Sequence, residues 1–187
     1  QAAAETDCDE PLQPLASSWD PFSYERRHSA VMEVGGHELG GDRMFRVVTT
    51  QKKWDALAHK LDKLGDFQPE IVLEKSGVVA LDPRDEEAMA KVNARPEAAL
   101  VTVCDGIDLE VIPAYRLLAS RLEARHPILL KDVLDHPDDG EGEFLETLLV
   151  AARTIGSLIC DGIGDAVILQ GEEAPGQSLR LSYNILQ

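Results

Sequence analysis

The sequence predicts an α/β fold built from consecutive strand and helix units, and three observations carry that prediction. Short apolar runs such as Ala98-Ala99-Leu100-Val101-Thr102-Val103 are too brief to present a helical face and read as buried strands of a parallel sheet. Between them lie stretches whose apolar residues recur every three or four positions, the period of an amphipathic helix. The two patterns alternate along most of the chain, as they do where β-α units build a parallel sheet.

The elements follow in order. Residues 1–21 are rich in Ala, Pro, Asp, Glu and Ser and have no apolar period. Such a segment buries too little surface to offset its ordering entropy, so a linker or loosely docked arm is expected, with one domain over 22–187. Ala30 to Val34 and Met44 to Val48 read as strands joined by the Gly-rich segment Gly35 to Asp42. That segment lacks the Gly-Lys-Ser/Thr ending of a phosphate-binding loop and opens no helix, so a plain hairpin turn is expected.

Lys53 to Leu64 carries Trp54, Leu57, Ala58, Leu61 and Leu64 at helical spacing, and Gly65 supplies the stop. Trp54 reads as a core or interdomain anchor. Strands at 70–73 and 78–81 follow, the second closed by Asp82-Pro83. Residues 85–92 form a short helix with an acidic first turn, which suits the positive end of its dipole. After the 98–103 strand, Pro113 and the row Tyr115, Leu118, Ala119, Leu122 mark a helix ending near Arg125. A strand at 127–130 precedes a helix at 143–152, with Phe144, Leu145, Leu148 and Leu149 on its buried side. Gly156 to Gln170 reads as two short strands, 157–160 and 166–169, around a Gly-Ile-Gly-Asp turn, and a helix over 177–186 closes the chain. Short strand, glycine turn, short strand and last helix fit the end of a barrel better than a doubly wound sheet. The expected architecture is TIM-barrel-like. Because 187 residues fall below the roughly 250 of an eight-unit barrel, that (β/α) barrel is expected to be incomplete or degenerate.

Charge and residue spacing exclude several functions. With 18 Lys and Arg against 34 Asp and Glu, the formal net charge is -16. Binding to nucleic acid or to an anionic membrane surface needs clustered basic residues, so neither is expected. No apolar run approaches the roughly 20 residues that span a bilayer, and the first residues lack a basic region followed by an apolar one, so a soluble, cytoplasmic location is expected. Cys8, Cys104 and Cys160 have neither C-x-x-C spacing nor an even count and read as reduced structural thiols. The five histidines have no neighbours at metal-ligand spacing. The acidic run Asp135, His136, Asp138, Asp139, Glu141, Glu143 lacks the glycine and spacing of a calcium loop and reads as a solvated loop leading into a helix. The sequence therefore assigns no catalytic, cofactor-binding or metal-ligating residue.

Gly156 to Asp165, followed by Asn184-Ile185-Leu186-Gln187, resembles the end of a barrel domain in the 4-hydroxy-3-methylbut-2-enyl diphosphate synthase family, the [4Fe-4S] enzymes of the methylerythritol phosphate route to isoprenoids. Phe22-Ser23-Tyr24-Glu25-Arg26-Arg27 and His126-Pro127-Ile128-Leu129-Leu130-Lys131 add to the likeness, which covers residues 22–187. It points to the extra barrel-like domain inserted in the longer build of the family, between the substrate-binding barrel and the cluster domain. In the family's substrate barrel an Arg and a Ser after the glycine motif resemble diphosphate ligands; the corresponding places here are Ile168 and Gln170. Isoleucine offers no donor and glutamine no charge, where a guanidinium would fork onto phosphate. The Cys-Pro-x-Cys pair that holds the family's cluster is absent from this sequence.

The resemblance implies a non-catalytic spacer within an oxidoreductase. No cofactor would reside in this fragment, and a [4Fe-4S] cluster would sit elsewhere in the parent enzyme. Its partners would be the other domains of the same enzyme, with ferredoxin or flavodoxin serving a parent that is a homodimer at full length. The acidic surface would repel such acidic carriers, so a docking role for this domain is disfavoured. The alternative is a phosphate or metabolite site at the carboxyl ends of the strands, built from Lys131, Asp161, Asp165, Asp105 and Glu74. Arg26 and Arg27 read as interdomain ion-pair formers rather than a phosphate clamp.

Overall fold

A computed structural model of the chain describes residues 24–134, 144–172 and 174–187. The arm at 1–21, Cys8 and the acidic run 135–143 lie outside the described residues. The elements are β1 (Met32–Val34), β2 (His37–Leu39), β3 (Arg46–Thr49), α1 (Gln51–Leu57), β4 (Ile71–Val72), β5 (Val79–Leu81), α2 (Glu86–Asn93), β6 (Val101–Val103), α3 (Val111–Arg121), β7 (Leu129–Lys131), α4 (Phe144–Cys160), β8 (Ala166–Ile168) and α5 (Pro175–Leu186).

β1 and β2 form an antiparallel hairpin with Val34 opposite His37. Its two-residue turn takes positive φ at both positions, Gly35 at 61° and Gly36 at 83°, which only glycine adopts without strain. The hairpin is therefore tighter than expected: its second strand lies inside the Gly-rich segment, and the 44–48 run joins the main sheet. There β3 pairs in parallel with β4 and with β8, and β8 pairs with β7. β5 pairs with β6, and one bridge between Val101 and Ile128 links β6 to β7. The order is β4-β3-β8-β7-β6-β5, so the first strand of the sheet lies beside the last. Among the described residues no ladder joins β4 to β5.

Alternation along each strand sends neighbouring side chains to opposite faces. Val47, Val101, Val103, Leu130 and Val167 pack with Tyr115, Leu118, Ile155, Leu158 and Leu179 from the helices. Val48, Ile71, Leu100, Leu129, Ala166 and Ile168 form a second cluster, closed by Val34 and Leu39 of the hairpin.

Helix starts are set by side-chain caps. Thr50 accepts from the Lys53 amide at 3.3 Å to begin α1, and Asp85 accepts from the Ala88 amide at 3.0 Å to begin α2. After α1 the chain tightens into a 3-10 turn over Ala58–Lys63 and stops at Gly65, φ 58°.

The structure corrects the sequence at α4. The expected strand at 157–160 is its last turn, because Thr147, Ala151, Thr154, Ile155 and Leu158 keep one buried stripe through that point. Gly156 costs a helix interior roughly 1 kcal/mol relative to alanine, which this packing overrides. Reading the helix too short also misplaced its inner face: Phe144, Leu145 and Leu149 are exposed.

Between β6 and β7 side chains complete the ladder. Beyond the bridge at Val101 the Thr102 hydroxyl donates to the Leu129 carbonyl at 2.8 Å. The Tyr115 hydroxyl accepts from the Lys131 amide at 3.0 Å and lies 2.8 Å from Thr102 Oγ1. Since Thr102 spends its proton on Leu129, Tyr115 donates to Thr102. The phenol is fully buried, and burial pushes its pKa upward, so it stays protonated. Removing this hydroxyl leaves a buried amide and a buried Thr oxygen short of partners. Tyr115→Phe should therefore cost about 1–3 kcal/mol, read as a lower urea midpoint at an unchanged slope.

Candidate functional site

In parallel sheets ligands gather where the strands end, outside their carboxyl termini. Here that end carries Thr49, Val72, Leu81, Val103, Lys131 and Ile168. Gly162 to Asp165, which immediately precede β8, lie at the opposite end, and the chain itself covers them.

The cover is the segment 25–30. The Arg27 amide donates to the Gly162 carbonyl at 3.0 Å and the Ala30 amide to Arg125 at 2.9 Å. A Cβ on Gly162, whose φ is 76°, would stand 2.6 Å from the Glu25 carbonyl oxygen. One on Gly164, φ 115°, would stand 2.6 Å from Leu130 Cδ1. Asp165 ties the layers together: its carboxylate accepts from the Ser29 hydroxyl at 2.7 Å and from the Ile128 amide at 2.9 Å. Arg27 donates to the carbonyls of His126 and Glu123, each at 2.6 Å, just past the end of α3, where a cation suits the negative end of the helix dipole. Burial pulls Arg27 down to about 10, so it stays charged at neutral pH. Arg26 lies over the Phe45 ring, 5.9 Å from its centre. Both arginines therefore make contacts within this domain.

The other candidates divide between the two ends. Lys131 Nζ pairs with Asp105 at 2.8 Å, with the lysine buried and the aspartate partly open. Glu74 accepts from the Gln51 amide at 2.8 Å, at the start of α1. Asp161 pairs with Arg116 at 2.7 Å, beyond the last turn of α4. Lys131 and Asp105 are thus brought together at the strand carboxyl ends, whereas Asp161 and Asp165 lie far from them.

Sequence reasoning missed two residues at the carboxyl end. Asp132 is fully buried, and its two oxygens accept from the amides of Gln170 at 2.7 Å and Gly171 at 3.1 Å. Lys53 Nζ donates to the carbonyls of Leu169 at 2.8 Å and Glu172 at 2.6 Å, and to Ser178 Oγ at 3.2 Å. The signals were present: an acid directly after an apolar strand, and a lysine in the first turn of a helix that follows one. Ile168 is buried in the cluster beneath the hairpin, and Gln170 is half-buried.

A cleft of about 310 Å³ lies beside Asp132, lined also by Glu110, Val111, Leu134, Val150 and Arg153. The Asp132 carboxylate on its wall is already bonded to two amides. Burial pushes the Cys104 thiol up, away from the thiolate a nucleophile needs. Among the described residues no group of three or more His, Cys, Asp or Glu could hold a metal ion, and no helix is long and apolar enough to cross a membrane.

Fold and site together define a parallel α/β domain whose own side chains occupy its strand ends. No protein-family model matches the chain. It is 40% identical over 170 residues, 91% of its length, to the 4-hydroxy-3-methylbut-2-en-1-yl diphosphate synthase (flavodoxin) of Akkermansia muciniphila. The chain spans 28% of the length of that relative, so the similarity ties it to one segment of a larger enzyme.

Two outcomes follow for this end-to-end packing. Gly162→Ala forces a side chain into the 25–30 segment at a positive φ and should cost about 1–3 kcal/mol, with new proteolytic cleavage in that segment. Asp132 and Asp165 both have pKa values raised above 3.8, chiefly by burial. The folded protein then binds their protons more tightly than the unfolded one. Stability from this source is full below the unfolded value and is lost as pH rises through the raised values. The urea midpoint of Asp165→Asn should accordingly fall less steeply than that of the parent over this rise.

Proposed function

We propose that this chain is a non-catalytic spacer domain of a long-build 4-hydroxy-3-methylbut-2-enyl diphosphate synthase, an oxidoreductase of isoprenoid biosynthesis. The observation that carries the proposal is the Asp132 carboxylate on the amides of Gln170 and Gly171. Backbone amides after the last strand are where a sugar phosphate or diphosphate would be gripped in a barrel, and here a fixed internal anion holds them. The nearby cations support the same reading, since Lys131 bonds to Asp105 and Lys53 to carbonyl oxygens. A diphosphate approaching this end would meet Ile168 and Gln170 in place of Arg and Ser.

The strand order also supports a rolled, incomplete barrel. Each step from one strand to the next moves the same way around the sheet once β3 and β8 are neighbours, leaving the open seam between β4 and β5. Such a body is rigid, and in the full enzyme it would set the reach between a substrate-binding barrel and a domain holding the [4Fe-4S] cluster. Opening of the cyclic diphosphate, with two electrons from flavodoxin or ferredoxin, would then use residues of those other domains. The parent enzyme is read as a cytoplasmic homodimer.

Calorimetric titration of the isolated chain with the cyclic diphosphate should give no heat of binding, and micromolar affinity would favour the ligand-site alternative. In the full-length enzyme, replacing residues 22–187 with a rigid unrelated domain of matched end-to-end span should preserve measurable turnover. Complete loss with every such insert would contradict a spacing role.

A further inference from the structure

We infer that the outer face of α4 is a self-complementary docking surface for a second copy of this chain, with the two α4 helices packed antiparallel about a two-fold axis. This inference stands apart from the spacer reading, because it uses only α4 and holds whether or not the domain binds a ligand.

Helix α4 is apolar nearly all the way round, and Glu146 and Arg153 are its only charged residues. A helix of that kind is normally covered on every side. Its inner stripe packs in the core, yet Leu145 and Leu149 are 60% and 62% exposed. With Ala152 and Gly156 they recur at spacings of four, three and four, a second stripe on the solvent side. This in a chain of net charge -16 is the reverse of the usual surface composition.

Gly156 supplies an independent observation. A Cβ built on it meets nothing within 4 Å, so packing inside the domain does not require glycine there. Nor is its φ among the positive values that favour glycine. Glycine at such a site disfavours the helix, and what it permits is close approach by another backbone.

The stripe fits a copy of itself. When two α4 helices run antiparallel with Leu145 opposite Gly156 of the copy, Leu149 falls opposite Ala152. Both large side chains of each helix then face small ones of the other, four contacts from two pairings. The charges agree with this register. Glu146 and Arg153 lie on one flank of the stripe, and the two-fold axis keeps that flank on the same side of the pair. Glu146 then comes within ~3 Å along the axis of Arg153 on the copy, taking 1.5 Å of rise per residue, which an arginine side chain spans. A parallel pair would instead set leucine against leucine and carry the two charged flanks to opposite sides of the pair, leaving Glu146 and Arg153 without a charge partner across the contact. A single helix pair buries less than the roughly 1,200–2,000 Å² of a standard interface, so association through α4 alone is weak and reversible.

Sedimentation equilibrium on the chain across a wide concentration range tests this. The parent chain should show reversible association to two copies. Leu149→Glu and Gly156→Leu, both at open positions, should each weaken it at least about tenfold, with circular dichroism and the urea midpoint reporting an intact fold. Glu146→Arg and Arg153→Glu should each weaken it, and the double variant Glu146→Arg/Arg153→Glu should recover most of the loss. A chain that stays monomeric at every concentration would overturn the proposal and assign the stripe to another domain of a longer protein. Association that ignores Leu149→Glu, or a charge swap no better than either single change, would overturn the antiparallel register.

Discussion

The fold depends on a close approach that only two glycines permit. Glu25 and Arg26 lie directly on Gly162, where a Cβ would run into backbone, and Gly164 lies on Leu130 and Phe45 at a positive φ that favours glycine. Once the backbones are that close, Asp165 can reach Ser29 on one side and the Ile128 amide on the other. One carboxylate thereby joins the segment before the hairpin to β7 and β8. Arg27 extends the same junction to the carbonyls past α3. The hairpin follows directly, and Val34 and Leu39 close the inner apolar cluster from this end. The Gly-Ile-Gly-Asp motif is accordingly a packing device at the amino end of the strands.

At the other end the polar groups satisfy one another. Asp132, Lys53, Lys131 and Asp105 would each be costly to bury alone. Asp132 has two amides, Lys53 has two carbonyls and a hydroxyl, and Lys131 and Asp105 have each other. Strand ends that bind ligands leave such groups waiting for a partner, whereas here the partners are internal. The glycine motif and the strand carboxyl ends thus perform complementary structural tasks, one closing the domain below and the other sealing it above.

Much of this fold was legible in the sequence because its strands and most helices carry clean local signals. The 98–103 run, the row from Tyr115 to Leu122 and the acidic start of α2 each name their own secondary structure. The reading failed where local and tertiary signals diverged. Ser157 to Cys160 is apolar and flanked by glycines, as a strand would be, yet Leu158 extends a stripe begun at Thr147. Treating that turn as a strand shortened α4 and turned its face toward the core. The sequence placed Asp161 and Asp165 with Lys131 at strand carboxyl ends, because 157–160 reads as a strand that Asp161 would follow; with that run in α4, both acids instead lie before the amino end of β8. Asp132 and Lys53 carry only positional signals, after an apolar strand and in a first helical turn, because most of their partners shown here are backbone amides and carbonyls, which no motif marks.

Relation to the larger enzyme rests on a chain 40% identical to 28% of that relative, and the role assigned within it rests on the sealed carboxyl end. The most direct measurement is nuclear magnetic resonance of the Gln170 and Gly171 amides while inorganic pyrophosphate is added. With Asp132 holding both amides, their resonances should stay in place through millimolar additions. A saturable shift of both, lost in Asp132→Glu or sharpened in Asp132→Ala, would mean that the carboxylate yields to an anion and that this end is a binding site after all.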